Sequence, residues 1–314
     1  MIQVDLITGF LGSGKTTFIK RYAKYLMDQG MRIGILENDF GAVNVDMLLL
    51  QDLSGEQCDL EMIAGGCDKD CHRRRFKTKL IAMGMAGYDR VLVEPSGIFD
   101  VDEFFDILYE EPLDRWYRAG NVIAIADAKL EEHLSEQAEF LLACEVACAG
   151  CVVLSKVQEA EKEQVLGIKN HLERALDSVQ CKRRFQENEI IAKDWDTLTD
   201  EDFARIASCG WKPADYRKMD LDPKKTFSSL YFMNLKMSGE MLKEAVRAVF
   251  HDPTCGNIFR IKGFLKEENE WLELNATAQN LSLTPIPVGQ EVLIVIGEGL
   301  EREAISRYLG EPAC

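Results

Sequence analysis

Short apolar runs alternate with stretches of helical periodicity along the N-terminal two thirds of the chain. Met1–Thr8 is the first run, and Ile2, Val4, Leu6 and Ile7 are the core positions of a predicted strand. From Thr17 to Gln29 the apolar residues Phe18, Ile19, Tyr22 and Leu26 recur at helical spacing until Gly30 stops the pattern. Arg32–Glu37, Asp59–Ala64, Tyr88–Glu94, Asn121–Asp127, Gly150–Ser155 and Glu189–Ala192 read as further strands. Strands separated by helical segments predict an α/β domain, a mostly parallel sheet with helices on both faces. In such a sheet the functional loops lie at the carboxyl ends of the strands.

The texture changes after Ser208–Lys225, a polar stretch holding Pro213 and Pro223. The expected organisation is a large α/β domain over residues 1–210, a linker over 211–226 and a small α+β domain over 227–314. Within the small domain, Ser229–Asn234, Ile258–Phe264, Trp271–Asn275 and Val292–Ile296 read as strands. Met241–Phe250 and Leu300–Leu309 read as helices.

Candidate chemistry begins where the first strand meets the first helix. Gly9-Phe-Leu-Gly-Ser-Gly-Lys-Thr16 has the form G-x-x-x-x-G-K-[ST] at the place a phosphate-binding loop must occupy. Gly9, Gly12 and Gly14 let the backbone curl so that its N–H groups converge, and the helix that follows points its positive dipole end at the same spot. The nucleotide-binding set is therefore Gly9, Gly12, Ser13, Gly14, Lys15, Thr16 and Thr17. Lys15 is placed to reach the β- and γ-phosphates, and the Thr16 hydroxyl is placed to ligate Mg²⁺. The competing reading, an ordinary glycine-rich turn, does not explain strand, loop and helix falling in register.

Glu94-Pro-Ser-Gly97 ends the buried fourth strand, where an acidic residue can support Mg²⁺ and Gly97 can sense the γ-phosphate. Glu94 as a plain helix cap is the alternative. Glu37-Asn-Asp-Phe-Gly41 is a candidate switch loop, in which Asp39 either orients the attacking water or serves as a turn residue. Ser155-Lys-Val-Gln158 follows a buried strand at the base-recognition position. The usual guanine reader there is Asn-Lys-x-Asp. Lys156 is kept, but Ser155 replaces Asn and the neutral Gln158 replaces the Asp that would accept two hydrogen bonds from guanine.

Gly65-Gly-Cys67-Asp-Lys-Asp-Cys71-His72 places two thiols and an imidazole within six residues. With His72, Asp68, Asp70 or the distant Glu37, Cys67 and Cys71 can build a tetrahedral Zn²⁺ site or hold another thiophilic metal. Two incidental thiols are the alternative. Cys144, Cys148 and Cys151 sit at spacings that would share one helix face; packing against the sheet is favoured over a second thiolate or iron–sulfur site. Cys58, Cys181, Cys209, Cys255 and Cys314 carry no functional reading. His133, His171 and His251 are read as surface or helix-end residues.

The net charge of −16 argues against a nucleic-acid backbone or an anionic membrane as partner. No apolar run reaches membrane-spanning length, and a core strand occupies the place of a signal peptide, so a cytoplasmic protein with ten reduced cysteines is expected.

Taken together these motifs resemble the CobW-type metallochaperone GTPases, relatives of the hydrogenase and urease nickel-insertion GTPases. The phosphate loop Gly9–Thr17 matches the family's almost residue for residue. Glu37-Asn-Asp-Phe-Gly41 is similar to its Asn-Glu-Phe-Gly stretch, with Asp39 for Glu, and Val45-Asp46 fits the segment that follows. Glu94-Pro-Ser-Gly97 resembles its Glu-x-Thr-Gly, and Arg260-Ile-Lys-Gly-Phe264 with Trp271-Leu272 resembles its C-terminal Arg-x-Lys-Gly…Trp. The chain departs from the family in its metal motif, Gly-Cys-x-Cys-Cys, where Gly66-Cys67-Asp-Lys-Asp-Cys71 keeps two thiols at wider spacing. It departs again in the base motif, and it lacks the histidine-rich tract of many members.

The resemblance implies a P-loop NTPase of the SIMIBI type with a CobW-like C-terminal domain. It implies hydrolysis of GTP, or of ATP, with Mg²⁺, and metal delivery to a client protein or cofactor pathway. Lys15, Asp39 and Glu94 are the catalytic candidates, and Thr16 and Glu94 hold Mg²⁺. Ser155, Lys156 and Gln158 face the base, and Glu37, Cys67, Cys71 and His72 are the candidates for Zn²⁺. A nucleotide-driven activator that handles no metal and a small-molecule kinase are the other readings, and a homodimer stays open.

Overall fold

The computed structural model describes residues 1–39, 45–64, 69–95, 101–218, 227–235, 237–268 and 270–310, with Asp39, Val45, Ala64, Lys69 and Asp70 described by backbone alone. The Cys67 and Gly97 candidates, and the side chain of Asp39, therefore lie outside the described residues. Two compact units divide the chain, Met1–Asp220 and Leu221–Cys314.

In chain order the first unit runs β1 (Ile2–Thr8), α1 (Lys15–Asp28), β2 (Ile33–Asp39), α2 (Val45–Leu50), β3 (Cys58–Ala64), α3 (Lys69–Gly84) and β4 (Arg90–Pro95). It continues with α4 (Val101–Leu108), α5 (Leu113–Trp116), β5 (Tyr117–Asp127), α6 (Glu136–Ala147), β6 (Cys151–Ser155), α7 (Lys162–Ser178), β7 (Ile190–Ile191) and α8 (Asp200–Ile206). The seven strands form one sheet in the order β3-β2-β4-β1-β5-β6-β7, and every pairing is parallel. The α/β expectation is met, and β1 lies centrally with β4 on one side and β5 on the other. The strand order reverses there, so a crevice opens beyond the carboxyl end of β1.

Alternation along β1 sorts its side chains between the two layers. Ile7 joins Phe18, Ile19, Tyr22, Ala23 and Leu26 of α1 and Phe203 and Ile206 of α8 in one continuous core. Asp5 points to the same layer yet is fully buried. One of its carboxylate oxygens accepts from Tyr22 (2.8 Å) and from the Arg90 guanidinium (3.0 Å), the other from Gln3 (3.0 Å) and the Asn121 backbone (2.9 Å). Arg90 also donates to the Tyr22 hydroxyl at 2.6 Å. Burial, then the Asp5 charge, hold the Tyr22 phenol well above its ordinary pKa, so it stays a donor.

Helix α3 escaped the pattern reading because its apolar positions are sparse. A stripe of His72, Phe76, Leu80 and Met83 is buried, while exposed Arg74 and Arg75 lie between its members. Residues 211–217 belong to the first unit: Trp211 bridges to Ala149, Lys212 N–H donates to the Cys148 carbonyl at 3.0 Å, and Arg217 N–H to that of Val179 at 2.8 Å.

The second unit comprises β8 (Phe227–Met233), α9 (Gly239–His251), β9 (Asn257–Glu267), β10 (Glu270–Ala276), β11 (Leu281–Ile286), β12 (Val292–Glu298) and α10 (Arg302–Leu309). Its sheet is antiparallel, ordered β11-β10-β9-β12-β8. Strand β11 is absent from the sequence reading because Pro285 argues against a strand; it lies at the sheet edge, where a missing N–H is tolerated. The Arg260–Phe264 and Trp271 stretches occupy paired strands, with the Lys266 ammonium 5.7 Å from the Trp271 ring centroid. No helix among the described residues is long and apolar enough to cross a membrane.

Candidate functional site

The loop from Gly9 to Gly14 leaves β1 and enters α1 at the sheet's switch point. Gly9 has φ +140°, and a Cβ there would sit 2.3 Å from the Ile125 carbonyl oxygen. Gly14 caps α1 in the left-handed region, with no side-chain cap and no acidic residue in the first turn. Among the described residues no carboxylate caps the opening N–H groups of α1, as an anion site requires. Lys15 is largely buried, and its Nζ donates one proton to the Gly9 carbonyl at 2.8 Å. An ammonium carries two more. Thr17 is exposed on the first turn, and Ser13 is buried within the loop.

The Thr16 hydroxyl donates to Glu94 Oε1 at 3.1 Å, bringing the first-turn threonine and the end of β4 together. Glu94 is 6 % exposed and Glu37 2 %. Glu37 of β2 is the register partner of Glu94, so the two carboxylates leave neighbouring strands on the same face of the sheet. The Thr16 hydroxyl and the buried Glu94 carboxylate form a pair of hard oxygen donors, which fits Mg²⁺.

The other metal candidates divide. His72 is 1 % exposed on the inner stripe of α3, while neighbouring Cys71 is half-buried. Among the described residues no group of three or more His, Cys, Asp or Glu side chains is assembled to hold a metal ion. Glu37, Cys71 and His72 therefore do not make a donor set by themselves. The Cys144, Cys148 and Cys151 cluster needs correction as a single helix face. Helix α6 ends at Ala147, Cys148 caps it, and Cys151 opens β6. All three are buried, and burial pushes the Cys148 thiol up to about 11, so it is a protonated packing group.

At the base position, Ser155 is 3 % exposed at the end of β6 and Gln158 is exposed. The Lys156 ammonium is ion-paired with Asp127 at the end of β5. Three residues near the site carry no motif and were missed. Asp127 holds Lys156. Trp195, after β7, lies against Gly14. Glu145 of α6, 1 % exposed, accepts the Gly9 N–H at 3.0 Å, while its main-chain carbonyl accepts the Thr8 hydroxyl at 2.7 Å. The only sequence signal for Glu145 is a carboxylate inside the apolar run Phe140–Ala149.

Glu145 thus fixes the start of the Gly9–Gly14 loop. Replacing Glu145 with alanine leaves a buried N–H unpaired, an expected cost of about 1–3 kcal/mol in urea unfolding. Nucleotide affinity should fall with it. Glu145→Gln keeps an acceptor and should recover most of both; equal damage from the two variants would reject this role.

A family model described as the CobW/HypB/UreG nucleotide-binding domain matches residues 3–186. The zinc chaperone YjiA of Escherichia coli is 31% identical over 173 residues, covering 51% of this chain and 52% of that one. The zinc chaperone YeiR of the same organism is 32% identical over 171 residues, covering 53% of this chain and 50% of that one. The chain thus spans about half the length of these curated relatives. Among solved structures, Zn(II)-bound YjiA GTPase from E. coli aligns over 98% of this chain and 97% of that one, at 19% identity and a TM-score of 0.36. The hydrogenase maturation factor HypB of Archaeoglobus fulgidus aligns over 65% of this chain and 86% of that one, at 17% identity and a TM-score of 0.38.

Proposed function

The chain belongs to the CobW/HypB/UreG family of nucleotide-binding proteins, and from that premise we propose that it is a nucleoside-triphosphate-hydrolysing switch that delivers a thiophilic divalent metal to a client. GTP or ATP is the nucleotide, and the client is a metalloprotein or a cofactor-assembling protein. The observation that carries this reading is the register of Glu37 with Glu94, whose carboxylate also holds the Thr16 hydroxyl. A metal candidate and the cation support of the phosphate site are thereby one strand spacing apart, about 4.8 Å. The two relatives named zinc chaperones support zinc as cargo.

In this reading Gly9, Gly12, Ser13, Gly14, Lys15, Thr16 and Thr17 hold the phosphates, with Thr16 and Glu94 as the Mg²⁺ residues. Bound Mg²⁺ would neutralise charge developing on the β- and γ-oxygens. Lys15 supplies a fixed positive charge to the same oxygens, and the α1 N–H groups orient them. Asp39 orients the attacking water, and Gly97 reports the γ-phosphate. Cys67 and Cys71 supply thiolates and Glu37 a carboxylate to the cargo, with His72 as a further donor. Loss of the γ-phosphate changes the geometry of the metal set and so releases the cargo.

Competition against a chromogenic chelator tests the proposal. Zn²⁺ affinity is measured for nucleotide-free, Mg-GDP and Mg-GTP-analogue protein, each with and without Cys67→Ser/Cys71→Ser. The expected result is one-to-one binding that is lost in the double variant and differs between nucleotide states by about fivefold or more. Weak binding indifferent to both mutation and nucleotide would remove zinc delivery and leave a nucleotide-driven activator that carries no zinc.

A further inference from the structure

Trp195 follows β7 and is tied to both halves of the nucleotide site. Its indole N–H donates to the Leu154 carbonyl at 2.8 Å, one residue before Ser155. Its ring meets Phe18 of α1 edge-on, with centroids 5.7 Å apart. Arg21 of α1 donates to the Trp195 carbonyl at 3.1 Å and pairs with Asp196 at 2.6 Å, which holds the loop in place. A Cβ built on Gly14 would lie 3.3 Å from Trp195 Cη2 and 3.7 Å from Ser155 Cβ. Phosphate loop, base loop and indole therefore meet at one point, and Ser155 is buried there.

We propose that Trp195 sets the base selectivity of this site: the indole fills the space that an asparagine amide at position 155 would need, leaving a subsite that takes purine nucleotides with little preference between guanine and adenine. The proposal rests on the nucleotide-binding reading above and goes beyond it. Asparagine adds two heavy atoms to the serine framework, at a buried position whose Cβ lies beside Gly14, whose hydroxyl turns to the Ala126 carbonyl at 3.5 Å and whose preceding carbonyl is held by the indole. The serine and the tryptophan are thus a matched pair. Without that amide, discrimination falls to Gln158, which is exposed and neutral. An amide both donates and accepts, so it can match the guanine edge or the adenine edge, whereas a carboxylate only accepts. The next carboxylate, Glu159, is turned to Lys129 at 3.5 Å, and Asp127 is taken by Lys156.

Equilibrium titration with fluorescent methylanthraniloyl GDP and ADP, in Mg²⁺, tests this on the full chain. The wild type should bind both with dissociation constants within about tenfold of each other, a small free-energy difference. Ser155→Asn should weaken both by about tenfold or more, and adding Trp195→Ala should restore binding and shift it toward GDP, a non-additive cycle. Trp195→Phe should stay close to wild type. If thermal melting shows Ser155→Asn misfolded, Gln158→Asp decides: it leaves the packing alone and should favour GDP by about tenfold, through a charge-assisted pair. The proposal is overturned by a wild type that already discriminates about a hundredfold. It is also overturned by Ser155→Asn binding normally beside Trp195, by a double variant no better than the single, or by an indifferent Gln158→Asp. Failure of the wild type to bind either nucleotide would instead overturn the nucleotide reading itself.

Discussion

Lys15→Ala should lower the single-turnover rate of phosphate release by about 10²–10³-fold, the usual effect of deleting a preorganised charge that faces the transferring group. The largest part should appear in the rate at saturating nucleotide. The Lys15 charge matters most when the γ-phosphoryl oxygens gain charge in the transition state. Its one described hydrogen bond, to the Gly9 carbonyl at 2.8 Å, lies at the edge of the crevice, so the fold should survive the change. The thermal transition of the variant should stay near that of the wild type. A variant that hydrolyses at the wild-type rate would remove the Gly9–Thr16 loop from the chemistry and with it the switch reading. A variant that loses its thermal transition would show that Lys15 is structural.

The second large effect lies in the buried ion pair between the middle of β1 and the start of β4. Arg90→Ala should destabilise the first unit by about 3–5 kcal/mol in urea unfolding, because it leaves Asp5 buried without its cation. Asp5 is fully buried, the Arg90 side chain is 10 % exposed, and the two are 3.0 Å apart. The loss is a large fraction of the roughly 5–15 kcal/mol by which domains are stable. A double change, Asp5→Leu with Arg90→Met, removes both charges and should recover much of the loss. Equal instability in single and double variants would mean that packing, rather than charge, holds this end of the sheet. Nucleotide binding by the folded double variant should be unaffected, since Arg90 opens β4 at the end away from the crevice and Asp5 lies mid-strand, three residues before the end of β1.

The Gly9–Thr16 loop was legible as a phosphate-loop candidate because its motif is contiguous. Eight residues carry the turn, the ammonium and the hydroxyl, and the glycines among them record backbone conformations that L side chains rarely adopt. The order of strands and helices was legible for a similar local reason, since period two and period 3.6 are written into neighbouring residues. The same logic explains two misses. Strand β11 carries a proline that only its edge position permits, and α3 carries a narrow buried stripe among charges. The Cys144–Cys151 spacing suggested one helix face, but Gly150 lies where a Cβ would come 2.2 Å from the Gly210 carbonyl, and the chain turns there from α6 into β6.

The sequence by itself determined the α/β class and placed the glycine-rich candidate loop at the end of the first strand. Tertiary structure alone decided which distant groups complete it. Glu145 reaches Gly9 across 136 positions, and Glu37 comes beside Glu94 only through the register of β2 on β4. Trp195 reaches the loop only because β7 is the far neighbour of β6 and its connection to α8 folds back over α1. Local motifs are encoded in backbone preference and short-range periodicity, which neighbouring residues state directly. Long-range pairs are selected by packing and by the need to satisfy buried polar groups, and no spacing along the chain records that choice.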